Sequence, residues 1–151
     1  MGRNEQEQEL LARLREMYPP GTELEPGCVV DGVRDGRPHT VPVDGIWQDG
    51  GLYFGGDPKT VHIRNLRADP RAVAHTESGA SPVIVEGTAD WYVPSQDEAG
   101  RLAVATREKY GYPMSPAAYT SGTWRLVPEV VLAWNVLFED ATRFRFAPAS
   151  S

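Results

Sequence analysis

The stretch of residues 51–78 constrains the fold of this chain more than any other part of the sequence. A short aromatic run ends at Gly55-Gly56, a helical pattern follows, and a second apolar run begins at Ala72 after Asp69-Pro70. Glycine and proline interrupt regular structure, so these dipeptides mark the ends of the elements between them. The stretch therefore predicts a strand, a tight turn, a short helix and a second strand, in that order.

The predicted helix begins near Pro58 and ends at Arg67. Asp57 is a suitable N-cap, and proline suits the first helical position because an N–H there has no helical partner to lose. The inward face of this helix is apolar and consists of Val61, Ile63 and Leu66. The outer face is polar and consists of Lys59, His62 and Asn65.

The start of this helix has the features of an anion site. Backbone N–H groups at a helix start attract negative charge. Here they are joined by a hydroxyl and by cationic or donor groups, on Thr60, Lys59, His62 and Arg64. The alternative interpretation is that these side chains are ordinary solvated surface groups, as in most short helices. Because strands flank the helix on both sides, we favour a phosphate-binding site.

The chain before this stretch predicts an amphipathic helix over residues 4–18, followed by three strands. The apolar stripe of the helix consists of Leu10, Leu11, Leu14, Met17 and Tyr18. The strands are Cys28–Val33, Pro38–Trp47 and Leu52–Phe54, joined into a meander by Asp-Gly turns at Asp35-Gly36 and Asp49-Gly50. Pro42 cannot donate a ladder hydrogen bond, so it predicts a sheet edge or bulge at which a ligand can lie.

The chain after this stretch predicts more strands and one further helix. The predicted strands are Ala72–Glu77, Pro82–Val93, Thr123–Val127, Val130–Leu137 and Thr142–Phe146. The helix begins at Pro94-Ser95 and ends at Gly111-Tyr112-Pro113, and residues 114–122 are a predicted loop.

Length and composition indicate one β-rich domain. The chain has 151 residues, enough for a single core, and its 15 glycines and 13 prolines favour turns over long helices. We predict a helix and connection over residues 1–22, a barrel domain over residues 23–147 and a tail over residues 148–151. The net charge of −6, without a basic run, argues against nucleic acid or an anionic membrane as partner.

The sequence also predicts a cytoplasmic protein without a metal centre. Cys28 is the only cysteine and lies in an apolar run, so we expect a buried structural thiol. No apolar stretch has the length of a membrane span, and the charged amino terminus lacks a signal-peptide core. The three histidines, His39, His62 and His75, lie on different predicted elements, which disfavours a metal site. No Gly-x-Ser-x-Gly, Walker or Gly-x-Gly-x-x-Gly motif occurs, and Asp44 and Glu86 receive no catalytic role.

Three segments carry a resemblance to a known family. They are Gly36–Val43 (GRPHTVPV), residues 52–71 with Arg64-Asn65-Leu66 and Asp69-Pro70-Arg71, and Trp134 with Asp140–Phe146. In this order the segments resemble the pyridoxamine-5'-phosphate-oxidase-like proteins, a split β-barrel flavin-binding family that includes deazaflavin (coenzyme F420) dependent reductases. Many members have a lysine in place of His62, which implies phosphate binding that is weaker, pH-dependent or shifted to Lys59.

The resemblance implies a mainly β fold, a six-stranded antiparallel split β-barrel with an N-terminal helix and short helices between strands. It also implies a homodimer that binds F420 or FMN in the groove between its subunits. By position, Pro42, Val43, Asp44, Phe54, Gly55 and Gly56 line the ring of the cofactor. Lys59, Thr60, His62, Arg64 and Asn65 serve its phosphate or ribityl chain, and Trp134 comes from the partner subunit.

The function implied is hydride transfer to a small unsaturated or aromatic substrate. A flavin or deazaflavin supplies the hydride chemistry itself, so the absence of an acid–base motif is expected. Two alternatives stay open: a non-catalytic carrier of flavin, haem or another planar ligand with the same fold, and an all-β interaction domain without a ligand. Apolar and aromatic strands around Trp91, Trp124 and Trp134 independently predict a dimer.

Overall fold

The structure is a computed structural model that describes residues 2–18, 28–34 and 36–148, with side chains for residues 2–18 and 36–148. The predictions for the Cys28 side chain, for Asp35 and for the tail beyond residue 148 lie outside the described residues. The helices are α1 (Arg3–Met17), α2 (Val61–Ala68), α3 (Gln96–Tyr110), α4 (Ala117–Thr120) and α5 (Leu137–Asp140). The strands are β1 (Cys28–Arg34), β2 (Arg37–Val43), β3 (Ile46–Gln48), β4 (Gly51–Phe54), β5 (Arg71–His75), β6 (Val83–Tyr92), β7 (Thr123–Ala133) and β8 (Thr142–Arg145).

All the strands pair antiparallel in one sheet of order β2-β1-β5-β6-β7-β4-β3, with β8 beside β7. β4 and β8 pair with successive parts of the same edge of β7, at Trp124–Leu126 and Val130–Ala133. β2 and β3 follow each other in the chain and pair with opposite ends of the sheet. β4 and β8 therefore share one place beside β7, and the mainly β, antiparallel split-barrel fold class is confirmed.

The predicted strand Pro38–Trp47 is wrong in one respect, because it divides at Asp44-Gly45 into β2 and β3. The Gly45 carbonyl accepts hydrogen bonds from Lys109 Nζ at 3.1 Å and from Tyr110 Oη at 2.8 Å. These bonds to the end of α3 fix the bend between the two strands. As Pro42 predicts, β2 is an edge strand, and β1 is its one partner among the described strands.

The last part of the sheet also differs from prediction, because Thr123–Val127 and the following strand are one continuous β7. The register between β6 and β7 shifts between Glu86 and Gly87, where Gly87 pairs with the buried Pro128. A Cβ at Gly87 would lie 2.0 Å from the Val127 carbonyl oxygen, so only glycine fits. A bulge accommodates a proline within a ladder, and Pro128 therefore bends β7 instead of ending it.

The predicted end of this strand at Leu137 is also wrong, because β7 ends at Ala133. The Asp140 carboxylate accepts the backbone N–H groups of Asn135 and Val136, each at 2.9 Å. These bonds fold the following residues into the turn and short helix α5, which contains Leu137. The hydrogen bonds of the Asp140 carboxylate therefore end the strand, although the apolar pattern of the sequence continues to Leu137.

Two apolar clusters hold the elements together. The larger one fills the barrel and includes Leu10 and Met17 from α1 and Ile63 and Leu66 from α2. The smaller one packs Leu102 of α3 against Ile46 and Tyr53 on β3 and β4. α1 and α2 thus complete the barrel core, whereas α3 covers an outer surface of the sheet.

Candidate functional site

The loop between β4 and α2 is shaped by Asp57. Its carboxylate accepts the Lys59 N–H at 2.8 Å, and its carbonyl accepts the Thr60 N–H at 2.9 Å and the Thr60 hydroxyl at 2.6 Å. Asp57 therefore organises a turn before the helix, and the predicted helix start at Pro58 is wrong. α2 begins at Val61, with Thr60 in the N-cap position.

The start of α2 carries no side-chain cap. Thr60 is an N-cap residue whose hydroxyl would ordinarily accept an N–H from the first turn, but it donates to Asp57 instead. The first turn also contains no acidic side chain. The amides of this turn and the positive end of the helix are therefore left for an acceptor from elsewhere, which is the requirement for an anion site.

Two exposed cations accompany this helix start. Lys59 lies in the loop and Arg64 lies one turn into α2, and both side chains are exposed. Neither makes an ion pair of 4 Å or less with an acidic side chain within the described residues. Both side chains are therefore exposed to solvent at the start of α2, where the sequence predicts phosphate binding.

His62 is half-buried next to Gly56. A Cβ at Gly56 would lie 2.6 Å from His62 Nε2, so any larger residue would displace the imidazole. Within the described part of the chain, Nε2 is buried and makes no hydrogen bond of normal geometry. The loop glycine and the imidazole therefore form one close-packed unit with an unsatisfied nitrogen.

The pKa of His62 is lowered from 6.5, chiefly because burial disfavours the charged imidazolium. The nearby Gly55 backbone favours the charged form and offsets part of this effect, whereas the charge of His39 adds to it. The His62 ring is therefore neutral at neutral pH. A hydrogen bond from Nε2 to a ligand requires this buried nitrogen to become accessible, and the ring carries positive charge only under acidic conditions.

Asn65 is almost wholly buried, at 2% exposure, and its Nδ2 has no hydrogen-bond partner among the described residues. An unpaired buried donor costs about 1–3 kcal/mol, so most buried polar groups in proteins are paired. His62 and Asn65 are three positions apart on one short helix. Incomplete hydrogen bonding is therefore concentrated on α2.

The edge strand β2 lies beside this helix. Pro42 and Val43 are on β2, opposite Val29 and Cys28 of β1, and the other edge of β2 pairs with no strand of the described chain. α2 packs across β1 and β2, and this packing brings His39 close enough for its charge to affect His62. Sequence reasoning did not include His39 in the site, although it lies in one of the segments that carried the family resemblance.

Asp44 has another role in this chain. It accepts a hydrogen bond from Tyr112, and this bond raises the pKa of the tyrosine. Since Gly45 accepts bonds from Lys109 and Tyr110, both residues of the bend between β2 and β3 are bonded to the end of α3. In the sequence, Tyr112 was only part of the predicted helix stop.

The structure does not bring every predicted site residue together. The Phe54 side chain is buried in the core, and its carbonyl accepts the Thr123 hydroxyl at 3.1 Å. Phe54 pairs with Trp124 at one end of β7, whereas Trp134 follows the other end, roughly 30 Å away at about 3.3 Å per residue. The Trp134 indole N–H donates to the Ala80 carbonyl at 2.9 Å. Within one chain, Trp134 is therefore remote from Gly55 and Gly56.

Two other kinds of feature are absent from the described residues. They contain no group of three or more His, Cys, Asp or Glu side chains placed to hold a metal ion. No helix among them has both the length and the apolar character needed to span a bilayer.

Comparison with known proteins shows similarity in structure and not in sequence. No protein-family model matches the chain, and no curated protein matches it. A putative pyridoxamine 5'-phosphate oxidase from Listeria innocua superposes with a TM-score of 0.57 at 15% identity, over 85% of this chain and 98% of the other. A structure described as F420 reductase superposes with a TM-score of 0.53 at 23% identity, over 74% and 95%.

A haem-binding protein from Mycobacterium smegmatis is a third similar structure, with a TM-score of 0.61 at 18% identity. The alignment covers 81% of this chain, which spans only about half of that protein, 53%. At these identities the comparisons establish the fold. The chain has the split β-barrel fold of the pyridoxamine-5'-phosphate-oxidase-like proteins, which confirms the resemblance seen in the sequence.

Proposed function

We propose that this protein is a homodimeric oxidoreductase that binds F420 or FMN and transfers hydride to a small unsaturated or aromatic substrate. The observation that carries the proposal is the uncapped start of α2 beside the Gly55-Gly56 turn. There, first-turn amides without a side-chain cap, a buried His62 Nε2 without a hydrogen-bond partner among the described residues and two exposed cations occur together. The similarity to structures described as F420 reductase and as pyridoxamine 5'-phosphate oxidase supports the choice of cofactor class.

The residues of the loop and helix suit a phosphate group. Backbone N–H groups at a helix start donate to phosphate oxygens, and the helix dipole favours the negative charge. Lys59 and Arg64 would add charge-assisted hydrogen bonds, and a neutral His62 would add an uncharged one. The proposed site therefore binds the phosphate chiefly through the backbone of α2 and these two cations.

The proposed ring site uses the unpaired edge of β2 at Pro42 and Val43, together with Gly55. A Cβ built on Gly55 meets nothing within 4 Å, so there is open space at this turn. F420 and FMN supply hydride chemistry when bound, and this chain has to position the ring and limit the access of water.

The proposal requires a second copy of the chain. Trp134 is remote from Gly55 and Gly56 in one subunit, so it can serve the site only across a dimer interface. Trp91 and Val93 at the end of β6 are 54% and 60% exposed, and Phe138 on α5 is 97% exposed. Large exposed apolar side chains of this kind favour association.

Titration of the purified protein with FMN and with F420 tests the proposal, because the two cofactors have distinct absorption spectra. We expect one of them to bind to the dimer. Arg64→Ala or Lys59→Ala, at whichever position contacts the phosphate, should weaken binding roughly tenfold or more, since a charge-assisted hydrogen bond is worth about 1.5–3 kcal/mol. Arg107→Ala, an exposed change in the last turn of α3, is the matched control.

Several results would contradict the proposal. If neither cofactor binds, or if both cation variants bind like the parent, the start of α2 is not the phosphate site. Light scattering that shows a monomer with cofactor bound tightly would contradict the shared site.

The second candidate is a carrier that holds haem or a flavin without turnover. The similarity to the haem-binding protein of Mycobacterium smegmatis favours it. Titration with haemin separates the two candidates. A Soret shift, together with no binding of FMN or F420, would support the carrier.

A further inference from the structure

A cavity of about 220 Å³ lies between α1 and the interior of the barrel. On one side it is lined by Leu10, Leu11 and Leu14 of α1. On the other it is lined mainly by apolar residues of the strands, which include Trp47, Leu52, Val83, Val85 and Val131. No residue of the loop before α2 or of α2 itself is among its described lining.

α1 is fixed at both ends, so the cavity has a defined wall. Near its start, Glu7 accepts the Trp47 indole N–H at 2.9 Å and the Gly50 N–H at 2.8 Å. Arg3 donates to the Pro128 carbonyl at 2.8 Å. Just beyond the other end, the Tyr18 hydroxyl donates to the Trp134 carbonyl at 2.9 Å. The leucines between these anchors face space that the described barrel side chains do not fill.

One titratable ring in the lining has a hydrogen-bonding atom to offer. His75 Nδ1 lies 2.8 Å from the Thr76 carbonyl oxygen, and because a carbonyl only accepts, Nδ1 carries the proton. In the neutral ring Nε2 is therefore an acceptor. The Thr76 hydroxyl oxygen already accepts the Val83 N–H at 3.0 Å, and Lys109 donates to Gly45. Among these polar side chains, His75 offers a ring nitrogen that acts as an acceptor, whereas the Thr76 hydroxyl keeps a proton to donate.

The size of the cavity defines the ligand. An engineered apolar cavity of about 150 Å³ binds benzene, so one of about 220 Å³ has room for a benzene ring with a short alkyl chain. The lining is mostly apolar, so entry of an apolar molecule adds contacts that the side chains around the cavity lack.

We propose that this cavity is a binding site for a small alkylphenol-like molecule, a single aromatic ring with a short alkyl chain and one hydroxyl. The ring and chain lie among the α1 leucines and the barrel valines, and the hydroxyl donates to His75 Nε2. The described lining contains no residue of the proposed phosphate site on α2, and all of it belongs to one subunit.

The test uses 4-propylphenol and propylbenzene as probes, with calorimetry and with methyl NMR of the full chain. We expect 4-propylphenol to bind with a Kd of about 0.1–1 mM, as is usual for a ligand of about ten heavy atoms. Propylbenzene should bind several-fold more weakly because it lacks the hydroxyl, and His75→Leu should remove this difference.

Two variants of α1 sharpen the test. Leu14→Trp fills the cavity and should weaken binding at least tenfold, whereas Ala12→Trp adds the same side chain on the exposed face of the helix and should leave binding unchanged. The methyl signals of Leu10, Leu11 and Leu14 should shift with ligand, and those of the exposed Leu137 should not. These signals give an answer even if Leu14→Trp does not fold.

Three outcomes would overturn the proposal. They are the absence of binding by both probes, binding to Leu14→Trp as tight as to the parent, and shifts confined to α2 or β2. Displacement of 4-propylphenol by FMN or F420 would place the phenol in the cofactor site and would also contradict a separate cavity site.

Discussion

α2 and α3 contrast in how completely their polar groups are satisfied. α3 has a capping box in which Ser95 Oγ accepts the Glu98 N–H at 3.2 Å and the Glu98 carboxylate accepts the Ser95 N–H at 2.7 Å. It ends at Gly111, which has a left-handed backbone with φ of 74°. Among the residues that the structure describes, none caps α2 with its side chain, and two buried polar atoms of α2 have no hydrogen-bond partner.

The contrast also holds for single buried polar residues. Thr106 of α3 donates to the Leu102 carbonyl at 2.8 Å, and its oxygen lies 2.6 Å from the Tyr119 hydroxyl. Asn65 of α2 is equally buried and leaves Nδ2 unpaired. The same chain therefore completes one helix internally and leaves another incomplete. This difference points to a binding role for α2 and a structural role for α3.

The largest predicted effect on the free energy of unfolding concerns a feature that the two helices share. Each helix buries a leucine. Leu66 of α2 is 2% exposed and Leu102 of α3 is fully buried. Leu66→Ala and Leu102→Ala should each lower the free energy of unfolding by about 2–5 kcal/mol, because each removes packed methyl groups and leaves a cavity. Urea denaturation of both variants measures this. A loss below about 1 kcal/mol for Leu66→Ala alone would mean that α2 is poorly packed, and the contrast in polar groups would lose its meaning.

These packed positions are also the part that the sequence predicts best. The apolar stripe Leu10, Leu14 and Met17 and the inward positions Ile63 and Leu66 follow helical periodicity, and all five lie in or against the barrel core. Periodicity reports which face is buried, and burial dominates folding energetics. The caps of α3 were predicted equally well. Serine at the start and glycine at the end of a helix follow from the capping preferences of these two residues.

Sequence reasoning failed where a side chain had two possible local partners. Asp57 has the chemistry of an N-cap, but its carbonyl and carboxylate are used in the turn before the helix. Pro128 has the chemistry of a strand end, but a bulge opposite Gly87 accommodates it. For Asp57 the choice lies between two local arrangements of residues 57–60. For Pro128 it depends on Gly87, which is distant in sequence. For the same reason the approach of His39 to His62 and the bond from Tyr112 to Asp44 could not be predicted.

The next largest predicted effect is a change in the free energy of unfolding that differs in direction between α3 and α2. Thr106→Val removes a satisfied hydroxyl and should lower the free energy of unfolding by about 0.5–1.5 kcal/mol. Asn65→Leu removes an unpaired donor, so the ligand-free protein should be unchanged or up to about 1 kcal/mol more stable. Thermal and urea unfolding of both variants provide the comparison. If Asn65→Leu loses as much stability as Thr106→Val, then Asn65 has a hydrogen-bond partner. The buried polar groups of α2 would then be satisfied like those of α3.

A smaller effect should appear at the two N-caps. Ser95→Ala removes a bonded cap from α3 and should lower the free energy of unfolding by about 0.5–2 kcal/mol. Thr60→Ala removes a hydroxyl that caps nothing in α2 and should have less effect. Urea denaturation of the pair measures the difference. Equal losses at both positions would show that Thr60 does stabilise the start of α2, and that its first turn is not open to an anion.

The smallest effect is a pH dependence that only α2 should carry. Burial lowers the pKa of His62 below 6.5, the charge of His39 acts in the same direction, and the Gly55 backbone opposes both. Below pH 6.5 the unfolded chain binds a proton that the folded chain binds less readily. Stability that is present above this pH is therefore lost as the pH falls through the folded-state pKa.

His62→Gln should flatten this dependence, and urea denaturation of the ligand-free protein between about pH 7.5 and pH 5 measures it against the parent. His39→Gln is the matched variant, because it keeps the burial of His62 and removes only the repulsion from the neighbouring charge. It should flatten the profile less than His62→Gln does. Parallel profiles for His62→Gln and the parent would show that the imidazole is not held neutral. His62 would then be free to meet a phosphate as a cation, and the unsatisfied ring nitrogen would no longer distinguish α2 from α3.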